Sequence, residues 1–338
     1  MALENAPWAV DGAKHSAAVA RTLAYASTSG AEGIVEPADL RVRATQTPSG
    51  SVRVAPGGIA VLNRAANGGQ QTYTARNVSE TLVEVQPTGS GGGRTDYVWA
   101  HIIDPEYGGQ FPENPQTAQY FFLTASAAQP EGNGWYKLAR IDIPASTAAI
   151  TQAMITDLRE VAIPRRDQVV FGRPRVSDDA DVVSTLTVLS SNGGEYFPGG
   201  NGFANTVQID IPDWATRMHI EPRWMSVWRR PGDDSCWGYY WMEFGDEYRD
   251  RTWPGNRQWE FATQKFGFNF PNTADLMRTE WSLMDAVPVP AKLRGKRCTF
   301  AFKAGLADNS DFGVRMDAQG GLGVRIDFTQ VAEDIHTV

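Results

Sequence analysis

Four carboxylates, Glu243, Asp246, Glu247 and Asp250, fall within eight residues of one another. Hydrolysis of a glycosidic bond needs two such acids, one to protonate the leaving oxygen and one to activate water or attack the sugar. The same clustering is also ordinary for a solvated turn, so the acids alone do not decide between the two. Asp308-Asn-Ser-Asp311 brings further oxygen ligands together. It lacks the remaining positions of a calcium loop and reads as a turn. Gly89-Ser-Gly-Gly-Gly-Arg94 has no Gly-Lys-Ser/Thr ending and opens no helix, so it reads as a flexible hairpin loop rather than a phosphate cradle. His15, His101, His219 and His336 are scattered without zinc-ligand spacing. There is no Gly-x-Ser-x-Gly elbow to anchor a serine triad. The two cysteines, Cys236 and Cys298, form no framework and are expected as small buried side chains. No catalytic residue, metal or cofactor is therefore expected.

Tryptophan is the anomaly. Eight of the eleven lie between Trp214 and Trp281, so one segment must dispose of a large aromatic area. In Asp234-Ser-Cys-Trp-Gly-Tyr-Tyr-Trp-Met-Glu-Phe244, strand alternation puts Cys236, Tyr240, Met242 and Phe244 on one face. Trp237, Tyr239 and Trp241 fall on the other. In a two-layer sandwich only one face meets the core. The second face is either a core or subunit interface, or a sugar-stacking platform drawn from Trp237, Tyr239, Trp241, Trp253 and Trp259. A pyranose ring has an apolar face that lies flat on an aromatic ring, so the chemistry of the second reading is sound.

The elements that must hold these residues are mostly strands. Residues 13–28 are alanine-rich, with Val19 and Leu23 on one face, and read as a helix that Gly30 and Gly33 end. Strands follow at Leu40–Ala44, Ser51–Val54, Ile59–Leu62, Leu82–Val85, Tyr97–Ile103, Phe121–Leu123 and Trp135–Ile143, separated by Pro/Gly turns. Tyr97–Ile103 is almost continuously apolar and is expected at the centre of its sheet. Ile150, Met154, Leu158 and Val161 sit at helical spacing, which predicts a short helix with Ser146 or Thr147 as its cap. This segment, ending in Asp157 and Arg159, looks built to lock the first domain together. Pro164-Arg-Arg166 marks the domain junction. In the second half, Val207–Ile211, Thr299–Phe302 and Leu322–Phe328 alternate cleanly. The expected fold is mostly β: a small N-terminal β-domain with one or two helices over 1–165, and a jelly-roll-like antiparallel β-sandwich over 166–338.

The chain of 338 residues is long enough for two cores. Its net charge is −8, and both halves are acidic, which excludes a general binder of nucleic-acid backbone. No apolar run reaches the length of a membrane span, and the N-terminus lacks the basic start and apolar stretch of a signal peptide.

Residues 13–166 resemble the N-terminal region of minor tail proteins of tailed bacteriophages that infect actinobacteria. The likeness is carried by an ordered set of segments. It begins with Ala24-Tyr-Ala, Gly30-Ala-Glu-Gly-Ile-Val, Asp39-Leu-Arg-Val and Val52-Arg-Val-Ala-Pro-Gly-Gly. Gln71-Thr-Tyr-Thr-Ala-Arg and Thr88-Gly-Ser-Gly-Gly-Gly-Arg-Thr-Asp-Tyr-Val follow. Leu138-Ala-Arg-Ile-Asp-Ile-Pro-Ala-Ser-Thr and Ala153-Met-Ile-Thr-Asp-Leu-Arg complete it. In the second half only Ile211-Pro-Asp-Trp-Ala-Thr-Arg217 is similar. The resemblance implies a non-enzymatic structural protein of the virion, located at the tail tip or baseplate. It implies a first domain docked to hub or distal-tail proteins, a homotrimer around the tail axis, and a second domain that builds the oligomer and touches a host-surface glycan. A tail-associated glycan hydrolase is the competing expectation, and a carbohydrate-binding module a third.

Overall fold

Short alternating segments punctuated by glycine and proline can satisfy their backbones only in antiparallel ladders, and that is what forms. The computed structural model describes residues 16–108, 110–200, 203–229, 235–244, 263–268, 277–308, 310 and 313–332. The protein is mostly β, with one α-helix, Ala17–Thr28, among the described residues. It divides into two compact units, Met1–Pro164 with Val331–Val338, and Arg165–Gln330. The sequence reading gave everything after residue 165 to the second domain. Ala332 instead packs against the first unit's core. The second unit closes on itself, since Gln330 N–H donates to the Arg165 carbonyl at 3.0 Å.

The first unit holds three sheets. Gly57–Leu62 lies between Gly33–Ile34 and Thr72–Asn77, and Ser51–Val54 between Val42–Ala44 and Thr81–Glu84. A four-stranded sheet runs Ile155–Asp157, Gly134–Ile143, Arg94–Ile102, Phe121–Ser126. Arg94–Ile102 is interior, as its apolar run predicts. Aliphatic side chains from all three sheets fill one core, among them Ile34, Leu40, Val52, Ile59, Val98 and Leu138.

The helix forms where its composition predicts, capped by the Ser16 hydroxyl and stopped by Ser29 in the left-handed region. Its apolar pair is not what holds it, because Leu23 is 46% exposed and no helix residue is buried. Arg21 does that work. Its guanidinium donates to Gln71 Oε1 at 2.6 Å, pairs with Asp104 at 3.1 Å and with Glu106, and lies over the rings of Tyr73 and Tyr107.

The segment 144–163 departs from the helical expectation. Gln152–Met154 is one 3-10 turn with no side-chain cap, and Ile155–Asp157 is a strand paired with Ala139–Ile141. The spacing of Ile150, Met154 and Leu158 fits two periods over so short a stretch, and pairing with a neighbouring strand wins. The locking role is nonetheless visible. Arg159 is buried, bidentate to Asp157 at 2.9 and 2.7 Å, and donates to the carbonyls of Pro37 and Asp39. Beside it, Ile34 exchanges backbone hydrogen bonds with Glu160 and Ala162, both at 2.9 Å. Gly33 makes that approach possible, because a Cβ there would stand 2.2 Å from the Glu160 carbonyl oxygen.

The second unit is a two-sheet antiparallel sandwich. The larger sheet runs Arg166–Arg173, Gly321–Thr329, Arg217–Arg229, Val314–Asp317, Val183–Thr185, and Met277–Ser282 and Asp285–Pro288 also pair with Arg217–Arg229. The smaller runs Glu195–Tyr196, Arg297–Leu306, Cys236–Phe244, Thr263–Phe268, with Thr206–Asp210 also on Arg297–Leu306. Arg165 and Arg166, read as a solvated junction, lead directly into the edge strand. The core between the sheets is aromatic. Trp281 stacks on Tyr240 and Phe266 at 4.8 and 4.5 Å, and Trp224 meets Tyr240 and Phe302 edge-on at 5.2 Å each. Two polar atoms inside it are satisfied across the layers: Trp224 Nε1 donates to the Phe197 carbonyl and the Tyr240 hydroxyl to that of Ser282, at 2.9 and 2.8 Å. Burial pushes the Tyr240 phenol up to about 12, against the opposing effect of that bond. Cys236 and Cys298 are both buried and unbridged, as expected.

Arg159→Ala is expected to destabilise the first unit by roughly 3–5 kcal/mol, the scale for breaking a buried ion pair from one side. Urea unfolding followed by circular dichroism measures it. Arg159→Lys should recover little, since a lysine cannot reproduce the two-pronged bond to Asp157 together with the bonds to two carbonyls.

Candidate functional site: the outer face of the smaller sheet

Strand alternation makes the outer face of the smaller sheet as specific as its inner one. On Cys236–Phe244 the residues Cys236, Tyr240, Met242 and Phe244 enter the core, so Trp237, Tyr239, Trp241 and Glu243 point outward. On Arg297–Leu306 the outward set is Arg297, Thr299, Ala301, Lys303 and Gly305, because Cys298, Phe300, Phe302, Ala304 and Leu306 are core. The cross-strand register then builds rows. Tyr196 stands opposite Lys303, and Lys303 opposite Trp241, which faces Thr263. The next row carries Gly305, Tyr239 and Lys265, and the one after it Trp237 and Gly267. Rows on one face are about 7 Å apart.

The aromatic residues differ in how much ring they show. Trp237 is 39% exposed, and Gly267 beside it would meet nothing if it carried a Cβ. Tyr196 is 48% exposed, and Tyr239 is half-buried with the Lys265 ammonium 5.7 Å from its ring centre. Trp241 is only 4% exposed: Gly194 approaches its ring so closely that a Cβ there would lie 2.3 Å from it. The five sequence candidates therefore separate. Trp237 is exposed and Tyr239 half-buried, Trp241 lies beneath Gly194, and Trp253 and Trp259 fall outside the described residues. Tyr196 is exposed on the same face, on the other side of Ser190, which packs on Gly305, and the sequence gives no sign of it. The two-residue strand that presents it, between Gly193-Gly194 and Pro198-Gly199-Gly200, has no periodicity to read.

The polar groups of this face are fixed. Lys303 reaches Glu243 at 2.8 Å, with both side chains mostly buried, and its ammonium lies 5.8 Å from the ring centres of Tyr196 and Trp241. Glu243 is thus committed to an ion pair. Its companions in the acidic cluster, Asp246, Glu247 and Asp250, lie outside the described residues. Asp308 accepts from the Ser191 hydroxyl at 3.0 Å. Among the described residues no group of histidine, cysteine and carboxylate side chains is arranged to hold a metal.

The opposite outer face, on the larger sheet, is a charged ladder. His219 meets Glu221 at 3.1 Å and Arg325 meets Asp327 at 2.9 Å. Burial opposes ionisation of Asp327, yet bonds from Gln168 and Arg325 outweigh it and hold the carboxyl below its usual range. Trp228 is outward here too, and Arg278 and Arg315 lie 5.5 and 5.4 Å from its ring centre.

The first unit also turns aromatics outward. Trp99 meets Tyr97 and Trp135 edge-on, with Lys137 over Tyr97 and Arg64 over Trp135, each at 4.1 Å. His101 lies on the same sheet. Its Nδ1–H donates to the Glu131 carbonyl at 2.9 Å, its ring stacks on Phe122, and its Nε2 is buried without a partner. Desolvation lowers its pKa against the opposing effect of that bond.

No family model and no curated protein matches the sequence. Solved structures that align with it include that of infectious bursal disease virus, Gt strain, at 12% identity over 89% of this chain and 80% of that one, TM-score 0.23. The VP2 subviral particle of the same virus aligns at 10% identity over 91% and 81%, TM-score 0.22. The glycosylasparaginase PNGase F of Flavobacterium meningosepticum aligns at 10% identity over 89% of each chain, TM-score 0.25. Superpositions this loose establish no common fold.

Two outcomes follow from these groups. Lys303→Met strands a buried carboxylate and should cost about 3 kcal/mol; adding Glu243→Gln should restore most of it, which a double-mutant cycle in urea tests. His101, with its folded pKa below the ordinary value of about 6.5, binds its proton more readily unfolded than folded. Its contribution is fully present above that pH and is lost as pH falls below it. His101→Gln should therefore show a smaller drop in unfolding midpoint between pH 7 and pH 5 than the parent protein.

Proposed function

We propose that this chain is a structural component of a bacteriophage tail tip, working by surface fit to neighbouring proteins without making or breaking a bond. The observation that carries this is how the described protein spends its buried charge. Arg159 ties 155–162 to Pro37 and Asp39, Arg21 ties the helix to Gln71 and Asp104, and Lys303 ties two strands through Glu243. Each is a brace between separate segments, with its charge spent on the groups it joins. A second support is the ordered likeness of residues 13–166 to minor tail proteins. In this reading the first unit docks to hub or distal-tail proteins and the sandwich builds a trimer, with its outer face turned to the surroundings. The glycan-hydrolase alternative would have to draw its acid pair without Glu243, which Lys303 already neutralises.

Antibody raised against the recombinant protein should label purified phage particles at the tail tip under the electron microscope. Label on the capsid, or none on intact particles, would overturn the assignment. Light scattering of the purified chain should give three times the chain mass, and a stable monomer would remove the trimer from the proposal.

A further inference from the structure

The larger sheet ends in a long open border. Arg166–Arg173 pairs with Gly321–Thr329 over eight residues without a register shift, and no strand among the described residues lies along its other side. The other outermost strands of the two sheets are shorter, Val183–Thr185 with three residues, Glu195–Tyr196 with two and Thr263–Phe268 with six. An open edge displays unsatisfied backbone donors and acceptors, and proteins that must keep it free blunt it with proline, lysine or a bulge. Arg166–Arg173 has none of these. Its first bond shows which groups are open. Gln330 N–H donates to the Arg165 carbonyl, so every second residue from there, Asp167, Val169, Phe171 and Arg173, bonds to Gly321–Thr329. Gln168, Val170 and Gly172 therefore turn their N–H and C=O groups away from the sheet. The Gln168 N–H is met by the Asp167 carboxylate at 2.8 Å, and Val170 is 68% exposed.

We propose that this edge pairs with the same edge of a second copy of the chain, antiparallel about a two-fold axis through Val170. Residues directly opposite in an antiparallel pair share a face. The pairing therefore sets Val170 against Val170, Gln168 against Gly172, Val169 against Phe171 and Asp167 against Arg173. The open backbone groups of Gln168, Val170 and Gly172 then meet one another in hydrogen-bonded pairs. Charge selects this register. Asp167 and Arg173 are both exposed, and neither pairs with an opposite charge among the described residues. Here each finds its complement on the other copy, twice by symmetry. A slip of two residues one way sets Asp167 against Phe171. A slip the other way sets Arg173 against Val169 and brings Pro174, which has no N–H, opposite Gln168. Val169 and Phe171 already pack on the rim of the aromatic core, so the pairing joins two cores edge to edge. The contact is small beside a standard interface, so it forms reversibly at high concentration and leaves the mass in dilute solution to other contacts. The inference stands on this strand alone and does not depend on the tail-tip assignment.

Cysteine trapping reads the register. The Cα atoms of a hydrogen-bonded antiparallel pair stand about 5.5 Å apart, within the span of a disulfide. Val170→Cys in the full chain, at sub-millimolar concentration under mild oxidation, should therefore run at doubled mass on a non-reducing gel. Gln168→Cys alone should not, because its own counterpart lies about 13 Å away along the strand, four residues at ~3.3 Å each. Mixed in equal amounts, Gln168→Cys and Gly172→Cys should link, and a side chain at Gly172 meets nothing in its own chain. Cys236 and Cys298 are buried and do not compete. Sedimentation velocity at the same concentration follows the unlinked protein. Val170→Pro removes an N–H that its own sheet does not use, so it should abolish the association and leave the melting curve near that of the parent. Val170→Lys is the second variant, should the proline perturb folding. Asp167→Arg should weaken association about ten-fold by turning two exposed attractions into repulsions, and adding Arg173→Asp should restore it. No link at Val170→Cys overturns the proposal, as does equal linking at 168 and 170. Association that survives both Val170→Pro and Val170→Lys also overturns it.

Discussion

A β-strand offers alternate side chains to opposite faces, and Cys236–Phe244 carries aromatic residues on both. The rest of the second unit can be understood as the answer to that constraint. The inner set, with Tyr240 at its centre, is received by Trp224 and Trp281 from the other sheet, and the two layers are joined there by stacking and by hydrogen bonds from Trp224 Nε1 and the Tyr240 hydroxyl. Satisfying those two polar atoms matters as much as the packed area, because an unpaired donor in so apolar a core would cost about 1–3 kcal/mol. The outer set cannot use the same solution, since no third layer of regular structure among the described residues covers it. It is handled residue by residue: Trp241 lies beneath a glycine turn, Tyr239 is flanked by a lysine, and Trp237 stays open.

The same problem arises elsewhere in the protein and is met with cations. Trp228, on the charged face of the larger sheet, lies near two guanidinium groups. Tyr97, Trp99 and Trp135 in the first unit are overlaid by Lys137 and Arg64. Long basic side chains cover ring area with their stems, keep their charge near water, and gain roughly 0.5–1 kcal/mol from the ring quadrupole at partly exposed sites. Against that pattern Trp237 is the exception among the described aromatics of the smaller sheet. Its cross-strand neighbour is a glycine, where a lysine or arginine would have covered it.

How far this could be read in advance depended on the physics of each segment. The two faces of Cys236–Phe244 were legible because period-two alternation over nine residues has one interpretation once the core side is chosen. The helix at Ala17–Thr28 was legible from its alanines and its stop signals, but its anchoring was not. Arg21 finds Gln71, Asp104 and Glu106 only after the chain has folded, and no local pattern encodes a contact across 50 to 85 residues. Ile150 to Val161 misled because its apolar spacing satisfies a helix in isolation, while the unpaired edge of Gly134–Ile143 beside it favours a strand. Tyr196 was invisible for the opposite reason: a two-residue strand among glycines has no period at all.

The longest strand, Arg217–Arg229, also escaped the sequence reading, and the reason bears on the sandwich as a whole. It breaks its own alternation with a bulge between Trp224 and Val227, where Ser226 takes a positive φ of 64. A bulge adds a residue on one side of the ladder and resets which face each later side chain meets. Trp224 and Val227 therefore both enter the core, although three residues apart they would fall on opposite faces of a regular strand, and Trp228 is released to the charged outer face. The bulge also divides the strand's partners along one edge, with Gly321–Thr329 paired up to Met225 and Val314–Asp317 from Trp228 onward. One strand can thereby serve the aromatic core, the arginine-flanked surface and two separate neighbours. A uniform alternation would have placed either Trp224 or Val227 in water.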